Sequence, residues 1–422
     1  MAERLVVLLY GQAVGMLERE SRTGALSFTY DAGYVDIGEV ALSARLPISD
    51  VPYPAGRIEP FLEGLLPESR ATRELWARRL GTSADDTFGL LAQMGWDCPG
   101  AVQFCAPSTL DEMEARQADY QPLDESDIAQ RVRDLVDQPA SWSMPGEHWS
   151  LGGQQEKFAL ARVNGAWHEA HGAAATTHIV KPGIKSLHHQ ALVEYVTMSA
   201  AADLGVDVAR TDLARFEDQW AIVIERFDRV DDAGHILRIH QEDFCQALGR
   251  LPEAKYESRG GPGLAAMVRT VRQQSTAPED DLLALADFLI VNVVAGAPDG
   301  HAKNISMLRA PAQRWVAPLY DLATGLSYDG ATVERTVAVS VGGERSFSRI
   351  RRKQWVKAAA VLGVETDRLF ARVATLADGY PDAVEAALQR VGTAPGAGDV
   401  AARTVPRLRS HCRRILDQLD QA

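Results

Sequence analysis

Short apolar runs separated by glycines fill the first 106 residues, a pattern that predicts strands more than long helices. One apolar run ends at Leu9, a turn follows at Gly11, and a second run spans Val14–Leu17. This spacing predicts a β-hairpin. Helical patterns appear later in the same stretch, so residues 1–106 are predicted to form a β-rich N-terminal module with helices.

Residues 107–148 are acidic at first and then rich in Pro, Ser and Trp, which predicts a connection and a domain boundary. The next stretch predicts strands at Phe158–Val163, His178–Lys181 and Ala221–Phe227, with an amphipathic helix over Gln190–Leu204.

The character of the chain changes to helix after residue 240, and the last 75 residues or so are predicted to be wholly helical. We therefore expect an α+β protein with two lobes: a β-rich N-lobe over residues 107–228 and an all-helical C-lobe over residues 229–422. A cleft between two such lobes is a common place for a ligand.

Composition narrows the class of protein. Apolar residues make up 46% and charged residues 24% of the 422 residues, which leaves no room for a large disordered region. A net charge of −13 argues against a surface that coats nucleic acid. The four cysteines lack C-x-x-C spacing, which fits reduced thiols, and no apolar run reaches the ~18 residues that span a bilayer. A soluble cytoplasmic protein is expected.

The strongest chemical signal is the polar loop Pro298–Asn304, which follows an apolar helix ending near Ala297 and precedes a strand-like run. Asp299 and Asn304 have the D-x-x-x-x-N spacing of a protein-kinase catalytic loop, which pairs a base with a magnesium ligand. Asp321 follows the next strand-like run, where kinases place their principal magnesium ligand. The alternative is an Asp/Gly turn whose polar side chains bond locally.

A second signal is the glycine-containing segment that begins at Ser150 and leads into a strand. Paired glycines let backbone N–H groups approach phosphate oxygens, and a lysine at the end adds a cation. The candidate phosphate-binding residues are Gly152, Gly153, Gln154, Gln155, Glu156 and Lys157. The segment is not a Walker A loop, and an ordinary glycine turn into a strand is the alternative.

Three further positions fit a nucleotide site. Lys181 ends an apolar strand before Pro182, as a lysine aimed at the α- and β-phosphates requires, although an edge lysine that opposes aggregation is the alternative. Glu194 on the following helix could pair with Lys181, or could simply lie on a solvated face. The strand-to-loop passage Glu225–Phe227 could act as the hinge that offers backbone groups to adenine.

The order of these signals favours one interpretation. Glycine loop, strand lysine, helix glutamate, hinge, D-x-x-x-x-N loop and second aspartate follow the order of a two-lobed kinase.

With these residues in view, the chain closely resembles the HipA family of bacterial toxin kinases along nearly its whole length. The motifs that carry the resemblance are Leu65–Glu68, Asp97–Phe104, Ser150–Lys157, Lys181–Pro182, Glu225–Arg229, Gln241–Gly249, Asp299–Asn304 and Tyr320–Asp321.

The resemblance implies a serine/threonine kinase that uses ATP and Mg²⁺. Asp299 would be the catalytic base, Asn304 and Asp321 would hold the metal, and Ser150 would be the autophosphorylated serine whose modification expels the glycine loop. The implied nucleotide-contacting residues are Gly152 to Lys157, Lys181, Glu225, Arg226, Phe227, His301, Ala302, Lys303, Asn304, Tyr320 and Asp321. The implied targets are aminoacyl-tRNA synthetases, chiefly the glutamyl enzyme. The implied partner is a HipB-like helix-turn-helix antitoxin, and the complex would bind operator DNA.

A second hypothesis makes the protein mainly a DNA-bound corepressor with a vestigial nucleotide site. Its motivation is two basic clusters, which can contact phosphates but more often form solvated helix faces. They consist of Arg345, Arg349, Arg351, Arg352, Lys353 and Lys357, and of Arg403, Arg407, Arg409, Arg413 and Arg414. A metal- or serine-dependent hydrolase is disfavoured because the H-E-x-x-H and G-x-S-x-G motifs are missing from the sequence.

Overall fold

The structure, a computed structural model, describes residues 3–138, 148–329 and 335–421. In its first part the elements are, in order, β1 (Glu3–Leu9), β2 (Gln12–Arg19), β3 (Leu26–Tyr30), α1 (Ala32–Ile37), β4 (Tyr53–Pro54), α2 (Ala55–Leu65), α3 (Arg70–Leu80), α4 (Thr87–Met94), β5 (Val102–Cys105), α5 (Leu110–Ala115), β6 (Ala118–Pro122) and α6 (Glu125–Asp137).

The N-terminal module is an antiparallel sheet in the order β4-β3-β2-β1-β5, covered by helices. The predicted hairpin is confirmed as β1 and β2, joined at Tyr10 and Gly11. Both turn residues have positive φ, 55° for Tyr10 and 77° for Gly11. A two-residue hairpin turn needs this conformation for its twist to match the twist of the two strands.

The following elements are β7 (Phe158–Val163), β8 (Ala166–Gly172), β9 (His178–Lys181), α7 (Gln190–Asp203), β10 (Thr211–Phe216) and β11 (Gln219–Glu225). They form a sheet in the order β10-β11-β9-β7-β8-β6. Because β9 pairs with β11 on one side and β7 on the other, the alternative that Lys181 is an edge lysine is wrong.

Most of residues 107–148, predicted to be a connection into the next unit, instead forms a strand and helices. Strand β6 pairs with β8 and extends the N-lobe sheet. Helix α6 begins with a capping box between Asp124 and Asp127 and buries Ile128 and Val132. The Pro-, Ser- and Trp-rich residues 139–147 of this predicted connection lie outside the described residues.

Helix α7 is not amphipathic as predicted, because it is buried on nearly every side. One side lies against the N-lobe sheet and another against a long helix of the C-lobe. Its polar residues Gln190, Glu194 and Thr197 are therefore buried too, each with a hydrogen-bond partner.

The N-lobe sheet lies between two hydrophobic clusters. In β11, Ala221 and Val223 pack with the N-terminal module, whereas Ile222 and Ile224 pack with α7 and the C-lobe. This alternation is the two-residue period of a strand that is buried on both faces. The N-terminal module and the N-lobe consequently share one core.

The remaining elements are β12 (Arg229–Asp232), β13 (His235–Arg238), β14 (His240–Asp243), α8 (Phe244–Leu248), α9 (Leu264–Gln274), α10 (Pro278–Val294), β15 (Ser306–Ala310), β16 (Gln313–Val316), β17 (Thr336–Val341), β18 (Glu344–Ser346), α11 (Arg352–Leu362), α12 (Thr366–Arg390) and α13 (Ala397–Asp420).

The α+β fold with two lobes is confirmed, but the C-lobe is not all-helical. It contains a sheet in the order β14-β15-β16 and the β17–β18 pair. The antiparallel strands β15 and β16 flank a tight connection, and the candidate catalytic loop lies just before β15. The helical character predicted for the end of the chain is confirmed by α11 to α13.

Helix α10 leads into the candidate catalytic loop. Pro278 occupies its first position and three acidic residues fill its first turn, both of which favour a helix N-terminus. Most of its length is buried in the C-lobe core. Within the described ranges, no helix has the length and apolar character that crossing a membrane would require.

Candidate active site

Lys181 connects two elements and a loop at the boundary between the lobes. Its Nζ donates to Glu194 Oε1 at 2.9 Å and to Asp321 Oδ1 at 2.6 Å. Lys181 ends β9, Glu194 lies on α7, and Asp321 lies in the loop after β16. Three candidate residues that are far apart in the sequence are thus brought together.

The charges of Lys181, Glu194 and Asp321 shift one another's pKa values. Burial alone would lower the pKa of Lys181, but the Asp321 and Glu194 carboxylates outweigh it and raise that pKa. Burial would likewise raise the pKa of Asp321, but Lys181 outweighs it and lowers that pKa to about 2. Lys181 is therefore an ammonium and Asp321 a carboxylate at neutral pH. The alternative that Glu194 lies on a solvated helix face is wrong, because the residue is fully buried.

The loop after α10 presents Asp299 to solvent. The Asp299 side chain is 59% exposed, and Tyr256 Oη donates a hydrogen bond to Asp299 Oδ1. Asn304 is buried, and its Nδ2 donates to the Asp299 backbone carbonyl at 2.8 Å. That bond closes the loop between the two residues of the D-x-x-x-x-N motif. Surrounding protein atoms and the Asp321 carboxylate raise the pKa of Asp299 to about 6.

The glycine segment is packed against the end of α2. The Glu68 backbone N–H donates to the Gly153 carbonyl at 2.8 Å, and Pro67 forms a bridge with Gly153. A Cβ on Gly152 would lie 2.5 Å from the Gly64 carbonyl oxygen, so only glycine fits there. The N-terminal module therefore holds the candidate phosphate loop in place.

Lys157 ends this segment and is buried beside Lys181 and Asp321. Burial, together with the Lys181 charge, lowers the pKa of Lys157 to about 8. Its ammonium lies close to Gly153, where an added Cβ would be 2.8 Å away. The two lysines that were predicted to contact phosphates thus lie in one neighbourhood. Gln155 reaches the same group through Gln190, to which its side chain donates at 2.9 Å.

Ser150 is fully buried in this conformation. Its Oγ donates to the Leu65 carbonyl at 2.7 Å, and its backbone N–H donates to the Asp97 carbonyl at 3.0 Å. Both partners belong to the N-terminal module. Transfer of a phosphate to Ser150 therefore requires the segment to leave this position.

The predicted hinge has fewer free backbone N–H groups for adenine than expected. The N–H groups of Glu225 and Arg226 already donate to the carbonyls of Arg210 and Thr177. The Arg226 side chain points into a buried ion cluster with Asp228. Among the described residues this leaves the Phe227 N–H without a partner, beside the Phe227 ring, which lies 5.2 Å from the Tyr320 ring.

Four other residues predicted to contact the nucleotide instead bond or pack inside the protein, in or beside the candidate catalytic loop. Lys303 donates to Asp243 Oδ2 at 2.8 Å, Tyr320 donates to the Lys303 carbonyl at 2.7 Å, and the Ala302 carbonyl accepts from the Phe244 N–H. His301 is buried, and burial lowers its pKa to about 3, so its ring is neutral. Ala302 is fully buried, and Lys303 and Tyr320 are committed to bonds within the protein.

Sequence reasoning missed two residues that contact the loop. Glu68 pairs with Lys255 at 2.8 Å and lies 3.9 Å from Lys303, which joins the N-terminal module to the catalytic loop. Tyr256 bonds to Asp299. Glu68 ends the Leu65–Glu68 motif but was given no role at the site, and Tyr256 lies beyond the motif that ends at Gly249.

A buried cluster of five charges joins the hinge to the N-terminal module. Asp97 pairs with Arg229 and Arg238, each at 2.9 Å, and approaches Arg226 at 3.5 Å. Asp228 completes the cluster through bonds to Arg226 and to the Gly100 N–H. The Asp97–Phe104 and Glu225–Arg229 segments were noted separately in the sequence, and here they meet.

Several residues of the predicted basic clusters have acidic partners. Arg349 pairs with Glu344, Arg403 with Asp399, Arg407 with Asp329, and Arg409 with Asp382 and Glu385. These pairs reduce the positive field that a DNA contact would use. The corepressor hypothesis gains no support from this surface and stays a prediction.

The residues predicted to hold Mg²⁺ have suitable chemistry. Asp321 offers a carboxylate that is 38% exposed, and Asn304 uses its amide nitrogen internally, which leaves its amide oxygen as a ligand. One carboxylate, one amide oxygen and phosphate oxygens make a donor set that Mg²⁺ accepts.

The fold and site define a two-lobed, kinase-like α+β protein. Family models of the HipA N-terminal domain and the HipA-like C-terminal domain match residues 5–105 and 149–386. The chain therefore belongs to the HipA family.

Relatives cover nearly the whole chain. The kinase candidate Y4mE of Sinorhizobium fredii is 35% identical over 90% of this chain and 90% of its own length. The serine/threonine-protein kinase toxin HipA of Shewanella oneidensis is 28% identical over 97% of this chain and 95% of its own. A solved complex of Shewanella oneidensis MR-1 HipA, HipB and operator DNA matches with a TM-score of 0.85 at 26% identity, covering 99% and 98% of the two chains.

Proposed function

We propose that this protein is an ATP- and Mg²⁺-dependent serine/threonine kinase that acts as a toxin by phosphorylating a component of translation. The observation that carries the proposal is the Lys181 ammonium bound between Glu194 and Asp321. That geometry joins a strand lysine, a helix glutamate and a metal-holding aspartate, as an assembled kinase site requires.

In the proposed reaction the substrate hydroxyl attacks the γ-phosphorus of ATP. A new oxygen–phosphorus bond forms, the bond to the β,γ-bridging oxygen breaks, and ADP leaves with that electron pair. Asp299 accepts the hydroxyl proton, since its carboxylate faces solvent. Lys157 and Lys181 bind phosphate oxygens, and Phe227 and Tyr320 border the adenine. Bound Mg²⁺, held by Asn304 and Asp321, would neutralise phosphate charge.

Ser150 is the proposed site of autophosphorylation. Its hydroxyl is bonded to Leu65 inside the protein, so modification occurs only when the segment has left the N-terminal module. A phosphorylated Ser150 could not return, because its phosphate dianion would enter a fully buried position and would meet the Leu65 carbonyl that now accepts the Ser150 hydroxyl. The modification would thus switch the kinase off.

The proposed partners follow from the relatives. A HipB-like helix-turn-helix antitoxin would bind this chain, and operator DNA would be contacted through that complex, as in the matched Shewanella assembly. The proposed substrate is an aminoacyl-tRNA synthetase, with the glutamyl enzyme first to be tested, and the proposed location is the cytoplasm. The division into residues 1–106, 107–228 and 229–422 is part of the proposal.

Phosphate transfer tests the function directly. The purified protein is incubated with γ-labelled ATP and Mg²⁺, alone and with a bacterial lysate, and labelled sites are found by mass spectrometry. We expect label on Ser150 and on one lysate protein, and a fall of at least a hundredfold in Asp299→Asn. Asp85→Asn is the matched control, because Asp85 is 75% exposed and far along the chain from the catalytic loop. Equal labelling by Asp299→Asn and the wild type would overturn the assignment.

A further inference from the structure

Tyr256 lies beside the proposed catalytic base. Its hydroxyl makes the one side-chain hydrogen bond that the described residues offer to the Asp299 carboxylate, and it binds Oδ1. It immediately precedes a short 3₁₀ turn, Glu257–Arg259, some 40 residues before Asp299 in the chain. The sequence motifs of the site do not include it.

The tyrosine ring is held in place on several sides. The His301 ring meets it edge to face at a centroid distance of 4.9 Å. The Arg259 guanidinium lies 5.4 Å and the Lys255 ammonium 5.8 Å from the ring centroid. Its backbone carbonyl accepts N–H groups from Arg259 and Gly261, each at 2.9 Å. A ring with so many neighbours presents its hydroxyl in a defined direction.

The hydroxyl also stays a donor. Burial, together with the adjacent Asp299 carboxylate, raises the pKa of Tyr256 above its usual range. The phenol therefore keeps its proton at physiological pH, and a protonated phenol beside a carboxylate donates to it.

Two hydrogen bonds hold different parts of Asp299, one its backbone and the other its side chain. Asn304 holds the Asp299 backbone carbonyl at 2.8 Å but leaves the side-chain torsions free. Tyr256 binds Oδ1 and so fixes the orientation of the carboxylate. The second oxygen, Oδ2, accepts no hydrogen bond from the described residues, and the side chain is 59% exposed, so a substrate hydroxyl can reach this oxygen.

We propose that Tyr256 is a positioning residue, which orients Asp299 so that Oδ2 receives the proton of the substrate hydroxyl. The inference rests on the proposed kinase function. A base must lie within hydrogen-bond reach of the proton that it accepts, so loss of orientation lowers the rate of transfer without weakening nucleotide binding.

Tyr256→Phe tests this role, because it removes one hydroxyl and keeps the ring packing. We expect kcat for phosphate transfer to fall about tenfold to a hundredfold, the size expected for one hydrogen bond to a charged group. The KM for ATP and the melting temperature should stay within about twofold and ~2 °C of the wild type. Tyr34→Phe is the matched control, because it removes a buried tyrosine hydroxyl bonded to the Val40 carbonyl in the N-terminal module.

Crystal structures of the wild type and both variants give a readout that needs no activity. We expect one orientation of the Asp299 carboxylate in the wild type and Tyr34→Phe, and several in Tyr256→Phe. An unchanged orientation in Tyr256→Phe, or an unchanged kcat, would overturn the role of Tyr256. A wild-type protein that transfers no phosphate would instead overturn the proposed function, and the crystal structures would still show whether Tyr256 orients Asp299.

Discussion

The Lys181 ammonium is buried between two carboxylates, and each of its partners comes from a different part of the chain. Glu194 also accepts from Gln190 at 3.1 Å, and Gln190 in turn binds Gln155 of the glycine segment. A buried charge is tolerated only where its partners are in place. The position of Glu194 therefore affects both the lysine and the glycine segment.

Glu194→Gln is expected to destabilise the protein by about 3 kcal/mol and to lower phosphate transfer at least tenfold. The amide keeps the shape of the side chain but removes one of the two charges that compensate Lys181. Urea unfolding and a transfer assay would measure the two effects. Glu217→Gln is the control, because Glu217 pairs with Arg133 at the surface and its loss should cost under about 1 kcal/mol. Equal destabilisation by both variants would show that Lys181 does not need the Glu194 charge.

At the scale of elements, the end of α2 acts as a support for the glycine segment. Gly64 lies between Gly152 on one side and Gln246 of α8 on the other. A Cβ added to Gly152 would lie 2.5 Å from the Gly64 carbonyl oxygen, and a Cβ added to Gly64 would lie 2.6 Å from the Gln246 side chain. Gly152, Gly64 and the Gln246 side chain approach one another so closely that no methyl group fits between them. The phosphate segment, the N-terminal module and the C-lobe therefore meet at one tightly packed point.

Gly152→Ala should displace the glycine segment, because its Cβ would meet the Gly64 carbonyl, which cannot move without shifting α2. We expect the dissociation constant for ATP to rise about tenfold, which equals about 1.4 kcal/mol. Equilibrium binding of a fluorescent ATP analogue would measure it. Gly56→Ala is the control. Gly56 lies in α2, the helix that also contains Gly64, and nothing lies within 4 Å of a Cβ added at Gly56. An unchanged dissociation constant in Gly152→Ala would show that the segment adapts freely.

At the scale of the whole molecule, charge as well as apolar packing joins the N-terminal module to the hinge. Burial alone would raise the pKa of Asp97, but Arg229, Arg238 and Arg226 outweigh it and hold that pKa well below its usual range. Thr176 adds two hydrogen bonds to the same carboxylate. Asp97 is thus shared by three guanidinium groups, of which Arg226 and Arg229 also pair with Asp228.

Asp97→Asn should destabilise the protein by about 3–5 kcal/mol near neutral pH, because it removes the acidic partner of Arg238 and one of the two acidic partners of Arg229. The pKa of Asp97 is lower in the folded than in the unfolded protein, so its ionised form contributes stability above the unfolded pKa of about 3.9. That contribution is lost as the pH falls through the folded pKa.

Urea unfolding of the wild type and Asp97→Asn between pH 7 and pH 3 measures both effects. The difference in unfolding free energy should be constant above about pH 5 and should shrink below about pH 4. Asp85→Asn, at an exposed pair, should cost under about 1 kcal/mol. A difference that does not change with pH would show that the Asp97 charge is not what the cluster needs.

Local signals were enough to predict much of this protein. The β1–β2 hairpin, the strand that ends at Lys181 before Pro182, and the loop after α10 that bears Asp299 all depend on neighbouring residues. Periodicity, turn residues and motif spacing act within a few residues of one another, so the sequence itself determines them. The order of these segments was also sufficient to indicate a two-lobed kinase-like fold.

The tertiary structure alone decided which distant residues meet. Strand-like runs are visible in the sequence beside the catalytic loop, but their pairing into a sheet is not, because β14 and β15 pair across about 60 residues. The burial of α7, the contact of Glu68 with Lys255 and the bond from Tyr256 to Asp299 likewise depend on elements far apart in sequence. Whether a polar residue is solvated or paired is set by what packs against it, and that information is not local to the residue.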